Sequence, residues 1–157
     1  MRLRTLIHER RAPRAAAILL ALCAAASSSG CSAIEQLSSL EEQYIKLSED
    51  AVGRFHEQFN AENYQMICNQ TGGMLKQADY AEFLVKELSE NRQRLGQVKS
   101  AKQSDVNVRY TTGGLLIHLT YDTEFTNGSA TEFFNFGIKD GKALLESYDI
   151  KPRQLPK

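Results

Sequence analysis

One predicted strand carries a row of residue types that acid–base catalysis uses. His118, Asp122 and Glu124 alternate with apolar residues between Leu115 and Phe125, so a strand would place all three on one face. A histidine beside carboxylates can act as a general base. The same row is also typical of the solvated face of a half-exposed antiparallel sheet. The first interpretation predicts a pocket and the second predicts an exposed sheet surface.

Two tyrosines complete the set of candidate site residues. Tyr121 lies on the apolar side of the same strand, and Tyr148 belongs to the apolar alternation of the last strand. We therefore name His118, Tyr121, Asp122 and Tyr148 as candidate pocket residues. A shared enclosed cavity would favour catalysis, and its absence would favour simple binding.

No other group of side chains has the spacing of a known reactive site. His56, Glu57 and His118 are not at metal-ligand spacing, and Cys68 is distant from them in the sequence. The chain has no nucleophile elbow, phosphate-binding glycine loop or dinucleotide fingerprint. We therefore expect no metal and no cofactor, and we assign no catalytic residue.

The N-terminal 30 residues have the pattern of a secretory signal peptide. Five arginines precede an apolar run from Ala15 to Ala26, which small residues follow. A transmembrane helix needs about 20 predominantly apolar residues, and this run is shorter. We therefore predict that residues 1–30 are an export signal.

The end of this signal resembles the lipobox of bacterial lipoproteins, because small residues lead into Gly30 and Cys31. The resemblance implies that Cys31 is lipidated, becomes the new N-terminus and binds the bilayer through its acyl chains. Ser28 occupies the place where that family usually has leucine, so cleavage near residues 24–26 remains the alternative. Ser32 stands where an aspartate would retain the protein at the inner membrane, which favours the periplasmic face of the outer membrane.

The mature chain is acidic and has the size of one domain. Five of the 19 Lys and Arg residues and one of the 19 Asp and Glu residues precede Cys31, which leaves 14 basic and 18 acidic residues. We predict a tether at 31–38 and a single domain at 39–157. The absence of a basic patch argues against nucleic acid as a partner. Cys68 is left as a lone thiol, for which we predict burial.

The first half of the mature chain has helical patterns. Ser38 and Ser39 precede glutamates in a capping arrangement, and an apolar stripe then extends to Phe59. A short helix is predicted at 62–68. A third helix, with a cap at Asp79, is predicted to end at Gly96.

The second half has strand patterns. Four strands are predicted, at 98–110, 115–125, 129–139 and 142–151, with turns at Gly113–Gly114, Asn127–Gly128 and Asp140–Gly141. Pro152 is expected to end the last strand. Phe133, Phe134 and Phe136 are predicted to fill the core, or alternatively to line an apolar pocket.

Helices followed by strands predict an α+β fold, with N-terminal helices on one face of a curved four-stranded antiparallel sheet. The order of elements resembles the cystatin-like, nuclear transport factor 2-like cone, and several segments resemble secreted bacterial proteins of unknown function with that fold. These segments lie at 55–64, 83–84, 95–100, 119–125 and 145–150. The resemblance implies a hollow at the wide end of the cone and supplies no functional residue.

The favoured functional expectation is a non-catalytic, lipid-anchored envelope protein. Such a domain would bind a partner protein, a second copy of itself or a small apolar ligand. The alternative is a small enzyme of the ketosteroid-isomerase or dehydratase kind, which that cone also hosts. Fold alone does not separate the two, because unrelated activities share it.

Overall fold

Between residues 29 and 154, four helical segments precede four β-strands. The helices are α1 (Ser29–Asn60), α2 (Tyr64–Cys68), a 3-10 helix (Gly73–Lys76) and α3 (Ala78–Leu95). The strands are β1 (Val98–Thr111), β2 (Gly114–Phe125), β3 (Gly128–Lys139) and β4 (Lys142–Gln154). A compact unit begins at Leu40 and includes all four strands.

The computed structural model describes the backbone of residues 29–154 and the side chains of residues 38–153. Residues 1–28 of the predicted signal peptide and the side chain of Cys31 lie outside the described residues. No helix within the described part of the chain is both long enough and apolar enough to cross a bilayer.

Helix α1 begins earlier than the capping pattern predicts. Ser38 and Ser39 lie inside it, and the segment predicted as a tether, at 31–38, is helical because α1 begins at Ser29. The apolar stripe is as expected, because Ala51, Phe55 and Phe59 are buried. Local serine–glutamate spacing fits both a helix start and a helix interior, so it did not fix the boundary.

Helix α3 shows one correct and one incorrect end prediction. It ends at Gly96, whose φ of 82° is easily adopted only by glycine, so the C-terminal glycine is confirmed. The predicted Asp79 cap is wrong, because the N-cap residue is Gln77 and Asp79 lies in the first turn. There its carboxylate is favoured by the positive end of the helix dipole. The 3-10 helix before α3 was not predicted.

The strands form an open antiparallel meander in the order β1-β2-β3-β4. Each consecutive pair is joined by a two-residue turn, and the Asp140–Gly141 turn lies where the sequence predicts it. The first two turns are Thr112–Gly113 and Thr126–Asn127, one residue earlier than predicted, because Gly114 and Gly128 are already paired in the strands. Asp140 and Gly141 both have positive φ, at 50° and 68°, which matches the twist of the flanking strands. The α+β architecture is therefore confirmed.

The last strand continues past the proline that was expected to end it. Pro152 pairs with Ala130, and β4 extends to Gln154. Proline is tolerated here because β4 is an edge strand, where a missing N–H need not break the sheet. At its other end the free edge of β4 is partly covered, since Gly72 N donates to Leu145 O at 2.9 Å.

The core lies between the helices and one face of the sheet. Ile117 and Leu119 of β2, with Phe134 and Phe136 of β3, are buried on that face. The Phe55 ring of α1 contacts Phe134 at a centroid distance of 5.1 Å. Phe134 and Phe136 are thus core residues as predicted.

The core prediction is wrong for Phe133, because it alternates with the buried Phe134 and lies on the other face. The Lys151 ammonium lies 4.8 Å from its ring centroid there. Cys68 is buried and free, which confirms the predicted burial of this thiol. Burial raises the pKa of the thiol, so it is poorly suited to nucleophilic chemistry.

Candidate functional site

The four candidate pocket residues fall into two pairs on opposite faces of the sheet. His118 and Asp122 alternate with buried residues and lie on the face away from the core. Asp122 accepts from Arg153 there at 3.0 Å, in an exposed ion pair. Tyr121 and Tyr148 are buried on the core face. The structure therefore does not bring His118 and Asp122 together with the two tyrosines.

A buried glutamate organises the polar groups of the core face. Glu132 of β3 is only 1% exposed. Its Oε2 contacts His56 Nε2 at 2.8 Å and accepts from Thr123 Oγ1 at 2.5 Å. Its Oε1 accepts from the Tyr148 hydroxyl at 2.8 Å. We call these four residues, His56, Thr123, Glu132 and Tyr148, the glutamate network.

Three strands and one helix position this network. Glu132 lies between the buried Ala130 and Phe134 in the inward row of β3. Thr123 pairs with Ala130, and Tyr148 pairs with Phe134, so the two neighbouring strands bring both hydroxyls beside the carboxylate. His56 follows Phe55 on α1 and closes the network from the helical layer.

The carboxylate and its low-dielectric surroundings keep the nearby phenols neutral. Burial, the Glu132 charge and the hydrogen bond to Glu132 raise the pKa of Tyr148 well above its ordinary value of 10. Burial, together with the charges of Glu49 and Glu132, raises the pKa of Tyr121 to about 12. Both phenols therefore stay protonated through the physiological range.

This geometry leaves the network little capacity for catalysis. Both oxygens of Glu132 already contact hydrogen-bonding partners within the protein, so neither is free to take a proton from a substrate. Glu132 and Thr123 are sealed from solvent. The small cavity nearby has a volume of only about 10 Å³ and is lined mainly by apolar side chains such as Ala51, Phe55 and Phe136. The network is a satisfied polar cluster in the core.

The sequence contained one signal for this cluster that the pattern analysis missed. Glu132 occupies an inward position of β3, where its alternation partners Ala130, Phe134 and Phe136 are buried. A glutamate in such a row is almost never fully buried without partners. That position could have flagged Glu132, but its partner His56 is 76 residues away and is not visible from local spacing.

An apolar concavity lies beside this network, between α3 and β4. It has a volume of about 410 Å³, within the range of small-molecule sites. We call it the α3–β4 groove. Its lining residues are Leu75, Asp79, Tyr80, Phe83, Leu84, Glu87, Ser147 and Tyr148.

The groove follows from the spacing of residues along α3. Tyr80, Phe83, Leu84 and Glu87 lie three or four residues apart, so they share one side of the helix. Leu84 is 2% exposed and reaches the core, whereas Phe83 is 63% exposed. Such exposure of a phenylalanine in a concave apolar surface is a feature of binding sites. Tyr148 belongs to both the groove and the glutamate network.

The groove carries negative charge without a matching cation. Asp79 and Glu87 are its only charged lining residues, and neither takes part in an ion pair among the described residues. Burial, Asp149 and Glu90 raise the pKa of Glu87, because all three disfavour its charged form. The groove is therefore an apolar surface with uncompensated carboxylates.

Among the described side chains no group of three or more His, Cys, Asp or Glu residues is arranged to hold a metal ion. Comparison with known proteins adds no assignment, because no protein-family model and no curated protein matches this chain.

Proposed function

We propose that this protein is a non-catalytic lipoprotein of the bacterial envelope whose domain binds a small apolar ligand in the α3–β4 groove. Acylated Cys31 would hold the domain at the periplasmic face of the outer membrane. The cystatin-like, nuclear transport factor 2-like cone remains the proposed family of the domain. The groove is the single observation that carries the binding function.

The groove supports binding because its size and lining suit a small ligand. Its volume of about 410 Å³ falls within the usual range for ligand sites. The rings of Tyr80 and Phe83 are exposed by 41% and 63%, so a ligand would remove apolar area from water. Each square ångström of buried apolar surface is worth about 25 cal/mol.

The glutamate network supports a non-catalytic role. Reaction of the ketosteroid-isomerase kind needs a carboxylate that can reach a substrate proton. Glu132 contacts three protein side chains and is closed off from solvent. The α3–β4 groove meets the network only through Tyr148, whose hydroxyl already donates to Glu132.

A titration with octan-1-ol followed by amide NMR shifts tests the groove. We expect shifts concentrated at residues 80–87 and 147–149, with Phe83→Ser weakening the affinity at least about threefold through lost apolar contact. Glu82→Gln is the matched control, because Glu82 is on the same helix but lines a different surface. Absence of saturable shifts at these residues would overturn the binding function.

Mass spectrometry of the mature N-terminus tests the anchor. We expect a chain that begins at Cys31 and carries acyl mass, and Cys31→Ser should leave the precursor unprocessed. An N-terminus near residues 24–26 without acyl chains would contradict the lipoprotein assignment while leaving the groove titration unaffected.

A further inference from the structure

The two carboxylates of the α3–β4 groove differ in how well their negative charges are stabilised by neighbouring groups of the protein. Asp79 and Glu87 are eight residues apart on α3, which separates them by about 12 Å along the helix axis. Asp79 lies in the first turn, where the helix dipole favours negative charge. Glu87 lies in the middle of the helix and receives no such help. The uncompensated charge of the groove is therefore concentrated at the Glu87 end.

The surroundings of Glu87 add to this negative charge. Glu90 lies on the next turn of α3, and Asp149 on β4 is close enough to disfavour ionisation of Glu87. Lys86 is 3.9 Å from Glu90 in an exposed pair, and Arg94 donates to Asn91 at 2.6 Å. Neither cation forms an ion pair with Glu87 among the described residues. Asp149 has its own partner in Lys151, at 4.0 Å, so Glu87 is the carboxylate at this end without an ion pair among the described residues. A positive group placed at this end would offset the repulsion that Glu90 and Asp149 exert on Glu87.

The apolar part of the groove lies between its two charged ends. Tyr80, Phe83 and Leu84 occupy the turns between Asp79 and Glu87, and the Tyr148 side chain contributes from β4. The phenol of Tyr148 is held by Glu132 and stays neutral, so it offers no competing charge. An apolar body in the middle of the groove would direct one end of a ligand towards Glu87.

Resting on the proposed function, we propose that the groove selects a small amphipathic cation, with an aliphatic or aromatic body against Phe83 and an ammonium or guanidinium group at Glu87. Charge complementarity carries this assignment. The ligand is a small molecule because the volume of about 410 Å³ matches that class. Glu87 is the residue that determines specificity, and the aromatic side chains supply most of the affinity.

Three ligands with the same eight-carbon chain test the proposal. Octylammonium, octan-1-ol and octanoate are titrated into the purified domain at pH 7 and low salt, with amide shifts and calorimetry as readouts. We expect octylammonium to bind about fivefold more tightly than octan-1-ol, as expected for a partly exposed ion pair, and octanoate to bind least. Added salt should reduce the difference between octylammonium and octan-1-ol.

Variants assign the selectivity to Glu87. Glu87→Gln should reduce the preference for octylammonium over octan-1-ol to less than about twofold, because octylammonium loses its charged partner. Glu82→Gln removes the same charge from another side of α3 and should keep the preference. Glu87→Gln should fold normally, because removal of a disfavoured charge relieves repulsion in the native state.

The possible outcomes separate this inference from the function on which it rests. Equal binding of octylammonium and octan-1-ol would overturn the cation inference and leave the apolar groove intact. Failure of both ligands to bind would overturn the proposed function itself. A basic aromatic peptide that saturates the groove when octylammonium does not, or concentration-dependent shifts at these residues without ligand, would overturn the small-molecule assignment.

Discussion

The glutamate network and the α3–β4 groove reverse the usual distribution of polar and apolar groups. The network buries a carboxylate, an imidazole and two hydroxyls in the core, whereas the groove exposes aromatic rings at the surface. The buried groups hydrogen-bond to one another, so their hydrogen-bonding capacity is satisfied within the protein. The exposed rings have no such partners. Residue types that suggest catalysis therefore lie in the glutamate network, which is structural. Apolar residues without reactive groups line the α3–β4 groove, for which we propose binding.

Tyr148 is the only residue that belongs to both regions. Its hydroxyl donates to Glu132, and its side chain lines the groove. The network thereby fixes one wall of the groove. A preorganised wall reduces the ordering cost of binding.

Removal of the Glu132 carboxylate is expected to have the largest effect on stability. Glu132→Ala leaves His56 and two hydroxyls without their acceptor and creates a cavity, so we expect a loss of about 3–5 kcal/mol in unfolding free energy. Urea denaturation measures this loss. Glu124→Ala is the control, because Glu124 is exposed on β2, and it should change stability by less than about 0.5 kcal/mol. A loss of less than about 1 kcal/mol for Glu132→Ala would contradict the network.

One leucine and one phenylalanine of α3 compare the stability contributed by the core with that contributed by the groove. Leu88 is fully buried, so Leu88→Ala should cost about 2–5 kcal/mol. Phe83→Ala should cost less than about 1 kcal/mol, because most of this side chain is already in water. Thermal and urea unfolding of both variants provide the measurement. A large loss of unfolding free energy for Phe83→Ala would mean that this ring stabilises the fold and is not a free binding surface.

Simultaneous replacement of the whole glutamate network tests whether its hydrogen bonds add to the stability of the fold. The combined variant His56→Leu, Thr123→Val, Glu132→Leu and Tyr148→Phe removes all donors and acceptors together. Because no buried polar group is then left without a partner, its stability should lie within about 2 kcal/mol of the wild type and above that of Glu132→Ala. Urea denaturation checks this order. A variant that is less stable than Glu132→Ala would show that the network itself stabilises the fold.

Alkaline titration separates the buried phenols from the exposed ones. Raised pKa values mean that the folded state retains the protons of Tyr121 and Tyr148 after the unfolded state would lose them. The contribution of Tyr121 to stability is therefore complete below pH 10 and is lost as pH rises from 10 through about 12. The contribution of Tyr148 is also complete below pH 10 and is lost as pH rises through its raised pKa. Ultraviolet absorbance should show Tyr148 ionising only as the protein unfolds. Tyr148→Phe should remove that step, and early ionisation of Tyr148 would contradict its burial against Glu132.

The sequence predicted the architecture better than the site, for physical reasons. Strand alternation and Asp-Gly turns are local, so β2 to β4 and their faces were predictable from neighbouring residues. The partnership of His56 with Glu132 depends on packing of α1 against β3, which local patterns do not encode. The groove depends on the spacing between α3 and β4, which the local pattern of either element does not encode.

Octan-1-ol affinity, measured by NMR titration in two folded variants, separates the role of the glutamate network from that of the α3–β4 groove. Glu132→Gln changes the network outside the groove, and Phe83→Ser changes the groove outside the network. Affinity should stay within about twofold of the wild type in Glu132→Gln and fall at least about threefold in Phe83→Ser, since apolar contact supplies the binding energy. Loss of binding in Glu132→Gln together with unchanged binding in Phe83→Ser would contradict the assignment of function to the groove.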